Sequence, residues 1–557
     1  MEDQKANYYL TTPIYYINDV PHIGHAYTTV LADVLARFHR LLGEEVFFLT
    51  GTDEHGQKVE TAARERGLAT QEHVDRMAEA WRATFARLGL SFDRFIRTTE
   101  PQHLEVVTRL LQRIWDAGDV YTAPYVGWYC VPDERYWTEK DLVGGRCPTC
   151  GREVQRLEET NYFFKMSRYQ DWLVEHIRAN PEFIVPETRR NEILGFLAQP
   201  LNDLCISRPR ARLAWGVPLP WDADYVAYVW VDALINYVTG AGFLEGPATF
   251  ERRWPADLHL IGKDILTTHA VYWPTLLRSA GLAPPRRIAA HGWWLREGQK
   301  MSKSLGNALS PEALIAEVGL DPVRFYLMRE MPFGQDANFT ADGLVARLNT
   351  DLANDLGNLL SRVVNMVGRY AGGRVPELGE PALEPSRELR ALAEGVPDAV
   401  VEAVERLEVS RAIQEAMELV RATNRYLEQI APWKVAKLGA APVAGAHDSP
   451  GSPEAVLREC LAHAAEALRI ALVVLAPVVP VLAGRGLEAL GSDPEGIPST
   501  ETGRAPAPAD RPARRGASAG PGVPRIAPAA WGAVRLGTAA LDQPLFRRID
   551  ETARLRT

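Results

Sequence analysis

The chain has 557 residues, of which 46% are hydrophobic and 24% are charged. These values are typical of globular proteins and exclude a mostly disordered or fibrous chain, and the length predicts three to four domains at about 150 residues each. The formal net charge of −9 argues against a surface coated with basic residues for duplex DNA, although local basic patches could still bind a nucleic acid.

The N-terminus and the cysteines indicate a compartment. The first residues lack the basic and apolar regions of a secretory signal, and no uncharged apolar run reaches the roughly 18 residues of a membrane span. Three of the five cysteines lie within residues 130–150. This clustering predicts a metal site rather than disulfides, and therefore a protein of the reducing cytoplasm.

Residues 8–50 are predicted to form a β-α-β unit. Tyr8–Thr12 is a β-rich run ended by Pro13, and Gly43 ends a predicted helix. Val46–Leu49 is a continuous apolar run, which is typical of a strand buried on both faces of a parallel sheet. The predicted helix has apolar residues at helical spacing, namely Val30, Leu31, Val34, Leu35, Phe38, Leu41 and Leu42.

The rest of the chain divides by composition. Residues 117–224 consist of short segments and turn residues, which predict an insertion into an α/β domain, and amphipathic helical patterns follow residue 345, starting at Leu352, Leu356, Leu359, Val363 and Met366. Two segments rich in Gly, Ala and Pro, 439–454 and 499–530, are predicted to be flexible linkers. Strand-like runs resume after the insertion at Tyr225–Trp230, Leu258–Ile261 and Ile288–Trp294.

The first chemical motif is His22-Ile23-Gly24-His25, at the predicted start of the first helix. A helix N-terminus attracts anions, two imidazoles one turn apart can donate to phosphate oxygens, and Gly24 permits close approach of a base or ribose. The alternative is a pair of helix-start histidines without a function.

The second motif is Lys300-Met301-Ser302-Lys303-Ser304. Two ammonium groups three residues apart in a Ser/Gly loop suit a mobile clamp on a polyphosphate, where charge develops as pyrophosphate leaves. A basic surface turn is the alternative for Lys-x-x-Lys alone.

Together the two motifs are the signature of class I aminoacyl-tRNA synthetases, and the chain resembles the bacterial methionyl-tRNA synthetases. The resemblance extends over residues 8–437. It is carried by the segments TTPIYYINDVPHIGH, LTGTDEHGQK, ISRPRARLAWGVPLPW, YVWVDALINYV, HLIGKDILTTHAVYWP, KMSKSLGN, DLGNLLSR and APWKVAK.

The resemblance implies an α/β fold in which a Rossmann-type parallel-sheet catalytic domain is split by a connective insertion and followed by an α-helical bundle. The expected units are the two catalytic halves, the insertion with a zinc knuckle, a stem-contact segment and a helical anticodon-binding domain. Their boundaries, in chain order, are 1–116 (catalytic), 117–224 (insertion), 225–310 (catalytic), 311–345 (stem contact) and 346–557 (helical).

The implied activity is ligation of methionine to tRNA, for initiation and elongation. His22, His25, Lys300, Lys303 and Arg208 are the expected catalytic residues, although Arg208 could instead be a surface arginine beside Arg210 and Arg212. ATP is expected to bind, with Mg²⁺, at His22, Gly24, His25, Lys300, Ser302 and Lys303.

An aromatic pocket with one polar tip suits the polarizable thioether of methionine. Asp53 is expected to hold the α-ammonium group. Without the resemblance, Trp230, Tyr237 and His269 would be interpreted as core residues. The matching pocket positions are Ile14, Tyr15, Trp230, Ala233, Tyr237, Ile265 and His269.

The resemblance also places the anticodon at Asn358, Arg362 and Trp433. Asn358 and Arg362 are four residues apart and share a helix face, and Trp433 could stack on an unpaired base. By themselves these residues would be a capped helix and a buried tryptophan.

The knuckle has the spacing of a structural zinc site, with one zinc expected per chain. Cys130, Asp133, Cys147 and Cys150 are the expected ligands, with Asp133 where the commonest pattern has cysteine. Three thiolates and one carboxylate can complete a tetrahedron. Glu134 or water could replace Asp133, and a metal-free knuckle is the alternative.

Two other functions remain open from the sequence. One is another enzyme of the same superfamily, such as a leucyl- or cysteinyl-type ligase or a small-molecule adenylyltransferase. The other is a non-catalytic RNA-binding paralogue. The expected partners are ATP, L-methionine and tRNA(Met), including the initiator, with no membrane. The chain ends where longer relatives append a dimerisation module, which predicts a monomer.

Overall fold

The computed structural model describes residues 7–17, 20–131, 135–148, 150–301, 309–439, 451–492, 526–532, 536–541, 543–546 and 549. The strands are β1 (Asn7–Thr11), β2 (Tyr15–Tyr16), β3 (Glu45–Asp53), β4 (Arg94–Arg97), β5 (Val120–Cys130), β6 (Arg135–Trp137), β7 (Gln155–Phe164), β8 (Ile184–Val185), β9 (Leu204–Cys205), β10 (Ser207–Pro209), β11 (Pro218–Leu219), β12 (Asp222–Ala227), β13 (Leu258–Gly262), β14 (Ile288–His291), β15 (Trp294–Arg296), β16 (Gln299–Lys300) and β17 (Ala337–Asn338).

The helices alternate with the strands in the first half of the chain and follow one another in the second. They are α1 (Ile23–Leu41), α2 (Gln57–Glu65), α3 (Thr70–Arg87), α4 (Pro101–Asp116), α5 (Gln170–Ala179), α6 (Glu187–Phe196), α7 (Val229–Gly240), α8 (Pro247–Arg253), α9 (Trp273–Ser279), α10 (Pro311–Val318), α11 (Leu320–Glu330), α12 (Ala341–Arg347), α13 (Asn358–Tyr370), α14 (Glu384–Glu405), α15 (Val409–Ile430), α16 (Pro432–Gly439), α17 (Pro453–Leu475) and α18 (Pro480–Ala489).

The main sheet is parallel throughout. Its strands run in the order β2-β3-β1-β13-β14-β8, and β4 pairs with β3. The predicted strands at Tyr8–Thr12, Val46–Leu49 and Leu258–Ile261 are confirmed as β1, β3 and β13, in which most apolar side chains are buried and the rest are partly buried. The Rossmann-type fold is confirmed with them.

Two predicted strands end earlier than expected. In the run Tyr225–Trp230, β12 ends at Ala227 and α7 begins at Val229, so Trp230 lies on a helix. An apolar run of this length does not distinguish a strand from a buried helix, and α7 is almost entirely buried. In the run Ile288–Trp294, Trp294 begins β15, which belongs to a separate sheet with β16 and β17.

The inserted segment forms its own antiparallel sheet. Its strands have the order β6-β5-β7-β9, and β5 pairs with β7 over ten residues. A second small sheet has the order β10-β12-β11. The short strand β8 lies within residues 117–224 but pairs with β14 of the main sheet, so the segment also supplies one edge of the catalytic sheet.

The second half of the chain is helical, as predicted. Beyond residue 345 the described part contains helices and one isolated β-bridge, between Arg374 and Thr538. Most of the two predicted linkers lies outside the described residues. For residues 526–530 the prediction of a flexible linker is wrong: Ile526 and Ala529 are 2% and 0% exposed, and Arg469 donates a hydrogen bond to the Ala530 carbonyl oxygen at 2.8 Å.

A buried ionic cluster joins the sheet domain to the helices. Arg324 donates to Asp33 of α1 at 2.6 Å and to the carbonyl oxygens of Pro477 and Val478, between α17 and α18, at 2.9 Å each. Burial alone would raise the pKa of Asp33, but Arg37 and Arg324 hold it well below its usual range. The helix that carries the His22–His25 motif is therefore fixed directly to the helical half. No helix in the described ranges is both long and apolar enough to cross a membrane.

Candidate active site

The N-terminus of α1 carries both motif histidines. His22 is the N-cap; its Nδ1 accepts from the Gly24 N–H at 3.0 Å, and Nδ1 of His25 accepts from the His22 N–H at 3.3 Å. The two rings are stacked, with centroids 3.7 Å apart. Because both Nδ1 atoms are acceptors, each neutral ring carries its proton on Nε2 and can donate it to an oxygen of an anion.

Gly24 is required here for a reason that the sequence did not show. A Cβ atom at Gly24 would lie 2.9 Å from Cε1 and 3.1 Å from Nδ1 of His22. The absent side chain therefore makes room for the N-cap imidazole. The predicted approach of a base or ribose to Gly24 stays a prediction.

The predicted methionine pocket contains a buried polar pair. The Tyr237 hydroxyl lies 2.8 Å from Nε2 of His269, and His269 Nδ1 lies 3.0 Å from the Ile265 carbonyl oxygen. A carbonyl only accepts, so Nδ1 carries the proton and Nε2 accepts from Tyr237. Burial is the main cause that lowers the pKa of His269 to about 4, and burial raises the pKa of Tyr237 above its ordinary value. Both groups are neutral near pH 7.

A second histidine supports this pair from behind. The His259 ring stacks on the Tyr237 ring with centroids 4.1 Å apart, and it lies 2.8 Å from the Thr11 hydroxyl and 3.2 Å from the Trp273 indole nitrogen. The indole N–H can only donate, so His259 Nε2 accepts. Burial lowers the pKa of His259 far below its usual value. The sequence reasoning missed this residue.

Tyr15 brings the two halves of the candidate site together. Its ring contacts His25 edge-on at 5.2 Å and stacks on Trp81 at 4.9 Å. In the β2–β3 pairing Tyr15 is opposite Thr52, and Tyr16 is opposite Asp53. The predicted ammonium-binding carboxylate of Asp53, which is 5% exposed, is therefore close in the fold to the helix N-terminus.

The other predicted pocket positions lie on α7 or pack against the same hydrophobic cluster as Tyr237. Ala233 is buried on α7, one turn before Tyr237, and Trp230 is half-buried on the first turn of that helix. Three partly buried side chains pack against the hydrophobic cluster that contains Tyr237, namely Ile14, Trp230 and Ile265.

The lysine loop is described only at its edges. Lys300 pairs with Leu295 in the β15–β16 hairpin, while Ser302 and Lys303 lie outside the described residues. After the loop, the Leu309 carbonyl oxygen accepts from the Ile23 N–H at 3.0 Å. The chain that leaves the loop therefore returns to the start of α1.

Arg208 is buried, so the alternative of a surface arginine is wrong. It is 2% exposed, and its guanidinium carbon lies 4.3 Å from the ring centroids of both Tyr136 and Tyr228. Cation–π contact with tyrosine faces lowers the cost of burying this charge. Nη1 donates to the Ser207 carbonyl oxygen at 2.7 Å, whereas Nε and Nη2 have no hydrogen-bond partner among the described residues.

Two of the three predicted anticodon residues are brought together. The Arg362 guanidinium lies 5.6 Å from the centroid of the Trp433 ring, and Arg362 pairs with Glu428 at 2.6 Å. Trp433 is half-buried at the start of α16. Asn358 is exposed at the first position of α13, one turn before Arg362.

The cysteine cluster has the geometry of a metal site. The sulfur atoms of Cys130, Cys147 and Cys150 all lie within 4.8 Å of one another, and those of Cys130 and Cys150 are 3.5 Å apart. Zn–S bonds of about 2.3 Å in a tetrahedron place two sulfurs about 3.8 Å apart, so the three thiols fit zinc. The predicted fourth ligand, Asp133, lies outside the described residues.

One further cluster was missed by the sequence reasoning. It consists of His55, Asp232 and His103, which are buried, and each histidine is hydrogen-bonded to Asp232. His55 is part of the TGTDEHG segment and Asp232 of the YVWVDALINYV segment. The only sequence signal was the presence of unexplained polar residues in two otherwise functional segments.

Comparison with known proteins agrees with this geometry. The family model described as "tRNA synthetases class I (M)" matches residues 8–159 and 152–364. The methionine–tRNA ligase of Caldanaerobacter subterraneus subsp. tengcongensis is 43% identical over 488 residues, 87% of this chain and 74% of that protein. The methionine–tRNA ligase of Thermosynechococcus vestitus is 45% identical over 479 residues, 85% of this chain and 88% of that protein.

A solved structure resembles nearly the whole chain. Methionyl-tRNA synthetase from Mycobacterium tuberculosis in complex with methionyl-adenylate has a TM-score of 0.87 and 41% identity, covering 98% of this chain and 100% of that chain. The parallel sheet and the paired motifs define an ATP-dependent class I aminoacyl-tRNA ligase. The chain belongs to the methionine group of the class I tRNA synthetases.

Proposed function

We propose that this chain ligates methionine to tRNA(Met), including the initiator tRNA. The methionine carboxylate attacks the α-phosphate of ATP, and pyrophosphate leaves. A ribose hydroxyl of the 3′-terminal adenosine then takes the methionyl group, and AMP leaves. No protein nucleophile is needed, so catalysis consists of positioning and charge stabilisation.

The observation that carries this proposal is the position of Tyr15, which joins the helix N-terminus, where an anion is expected to bind, to the aromatic pocket. Tyr15 touches His25 and belongs to a strand that pairs beside Asp53. An amino acid whose ammonium is held by Asp53 and whose side chain enters the Tyr237–His269 pocket would present its carboxylate towards the phosphates at His22 and His25.

The catalytic roles follow from the donor atoms. His22 and His25 donate from Nε2 to phosphate oxygens, and the Gly24 region receives the nucleoside. Lys300, Ser302 and Lys303 bind the β- and γ-phosphates, with Mg²⁺ arriving as the counterion of ATP. Arg208 is assigned to this step on the resemblance alone, since its guanidinium is buried between tyrosine rings.

In the helical half, Asn358, Arg362 and Trp433 would bind the anticodon. The Arg362–Trp433 contact presents a guanidinium and an indole from two neighbouring helices, and unpaired bases are bound by stacking and edge hydrogen bonds. The helical domain at 346–557 therefore binds the anticodon, and the segment 311–345 contacts the acceptor stem.

The remaining assignments are the metal, the domain limits, the cellular compartment and the oligomeric state. One structural zinc bound by Cys130, Cys147, Cys150 and Asp133 stabilises the insertion at 117–224 and takes no part in the chemistry. The catalytic domain comprises 1–116 and 225–310, together with the edge strand β8 from the inserted segment. The enzyme works in the cytoplasm as a monomer.

The test is pyrophosphate exchange into ATP with each standard amino acid and with norleucine. We expect exchange with methionine alone to be efficient, and His25→Ala to reduce it strongly. His39→Ala is the matched control, because His39 is buried at the far end of the same helix. Exchange with leucine or cysteine instead of methionine would overturn the proposal in favour of another ligase. Absence of exchange with every amino acid, in protein that still binds tRNA, would overturn it in favour of a non-catalytic RNA-binding protein.

A further inference from the structure

A buried carboxylate on α7 is shared by two imidazoles from different elements. Asp232 Oδ2 lies 2.6 Å from His55 Nδ1, and Asp232 Oδ1 lies 2.9 Å from His103 Nε2. Asp232 is 1% exposed, His103 is 0% exposed and His55 is 6% exposed. His55 follows β3, and His103 lies on α4, so the carboxylate joins three elements.

The direction of both hydrogen bonds is fixed. Burial would raise the pKa of Asp232, but the adjacent His55 and His103 rings hold it at about 2. The carboxylate is therefore ionised near pH 7 and can only accept. Both ring nitrogens that face it carry protons, which fixes the tautomer and orientation of His55.

The loop that carries His55 is held from its other side as well. The Trp215 indole N–H donates to the Glu54 carbonyl oxygen at 2.6 Å, and the Gly56 N–H donates to the Trp215 carbonyl oxygen at 3.2 Å. Gly56 has a φ of 104°, a conformation that favours glycine. Asp232 and Trp215 thus hold the segment Asp53–Gly56 between them.

The position of this cluster relative to the pocket suggests its role. Asp232 lies on α7 next to Ala233 and two residues after Trp230, which belong to the side-chain end of the proposed methionine pocket. His55 is two residues from Asp53, which is the ammonium end. The His55–Asp232 hydrogen bond is therefore a direct link between the two ends of the amino-acid site.

We propose that Asp232, acting through His55, is a positioning residue that sets the distance between the Asp53 carboxylate and the aromatic pocket on α7. The proposal rests on the proposed function and extends it. The cluster selects amino acids whose α-ammonium reaches Asp53 while their unbranched apolar side chain reaches the aromatic pocket on α7. His103 holds the second carboxylate oxygen so that Asp232 keeps a single orientation.

A purely structural ion pair makes a different prediction. Loss of a structural pair would lower the free energy of unfolding and impair methionine and ATP binding together. Loss of a positioning link would raise the KM for methionine, while the KM for ATP would stay the same because His22 and His25 are held by the capping of α1.

The experiment compares His55→Ala with His55→Asn in pyrophosphate exchange. The Asn amide nitrogen lies at about the same position along the side chain as Nδ1 of histidine, so it can still donate to Asp232. His39→Ala and His39→Asn are the matched controls, because His39 Nδ1 also binds a carboxylate, Glu44 Oε2 at 2.6 Å, away from the site. The KM for methionine, the KM for ATP and the melting temperature are measured for each.

We expect His55→Ala to raise the KM for methionine by roughly tenfold or more, which is the change expected when one hydrogen bond to a charged group is lost. The KM for ATP should stay within about twofold. His55→Asn should restore the KM for methionine to within about threefold of wild type. Both His39 variants should resemble wild type.

Three results would overturn the inference. They are an unchanged KM for methionine in His55→Ala, equal increases in both KM values, and no recovery in His55→Asn. If His55→Ala does not fold, Asp232→Asn replaces it. Its single acceptor oxygen satisfies one imidazole only, so His55→Phe, which keeps the ring volume and cannot donate to Asp232, is measured with it, and the KM for methionine must rise selectively in His55→Phe. Absence of methionine-dependent exchange in wild type and in the His39 variants would instead refute the proposed function.

Discussion

The Tyr237 hydroxyl donates a hydrogen bond to Nε2 of His269 across 2.8 Å, and both residues are predicted to line the methionine pocket. His269 cannot rotate to another partner, because its Nδ1–H is bound to the Ile265 carbonyl oxygen. The Tyr237–His269 pair therefore gives the proposed pocket a fixed polar tip, which suits a thioether.

Replacing Tyr237 with Phe tests this tip. The change removes the donor and leaves a buried nitrogen unsatisfied, at a cost of about 1–3 kcal/mol. We expect the KM for methionine to rise by roughly five- to a hundredfold and the preference for methionine over norleucine to fall. Tyr426→Phe is the control, since its hydroxyl pairs with Ser386 in the helical half. Unchanged discrimination against norleucine would contradict the pocket assignment.

Lys303→Ala should reduce pyrophosphate exchange strongly and change methionine binding little, because the ammonium group acts on charge that develops as pyrophosphate leaves. Exchange rates and equilibrium binding of methionine are measured side by side. Arg296→Ala, in the hairpin that precedes the loop, controls for loss of a nearby positive charge. Exchange within about threefold of wild type would mean that Lys303 has another role.

Trp433→Ala should raise the KM for tRNA and leave methionine activation intact, since loss of one stacking partner typically costs about 1–3 kcal/mol. Aminoacylation at limiting tRNA is the measurement. Trp115→Ala serves as the control, because Trp115 is exposed on α4 and stacks on Trp221 instead. Equal aminoacylation by the Trp433 variant and wild type would refute the anticodon assignment.

The cysteine cluster should contain close to one zinc per chain, and Cys147→Ser should lose it. Asp133→Ala should weaken retention against a chelator without abolishing it, because the three thiols remain. Elemental analysis of protein purified without chelators gives the zinc content per chain, and the same analysis after chelator treatment gives the retention. Cys460→Ser is the control, since Cys460 is buried on α17 in the helical half. A zinc content near zero in wild type would reject the site.

Acidification should destabilise the fold through its buried neutral histidines. The folded state lowers the pKa of His269 from 6.5 to about 4, so the unfolded chain binds more protons in that window and the free energy of unfolding falls as the pH falls through it. The shift of about 2.5 units corresponds to about 3 kcal/mol. His269→Gln should remove this contribution, seen as a flatter dependence of denaturant unfolding on pH between 6.5 and 4. An unchanged slope would show that folding does not lower the pKa of His269.

The sequence by itself determined the elements whose signal is local. The apolar run at Val46–Leu49 was sufficient to predict a buried parallel strand, because each residue of such a strand must tolerate burial on its own face. The His22–His25 spacing was sufficient to predict a helix start, since capping depends on residues three apart, whereas anion binding there stays a prediction.

Tertiary structure decided which groups meet across the sheet. Trp230 lies in the first turn of a helix rather than at the end of a strand, and Arg208 is enclosed by tyrosines from other elements. His55 and Asp232 are 177 residues apart, and neither has a local pattern that reveals its partner. Pairings of this kind depend on sheet register and helix packing between distant segments, whereas periodicity and capping depend only on neighbours along the chain.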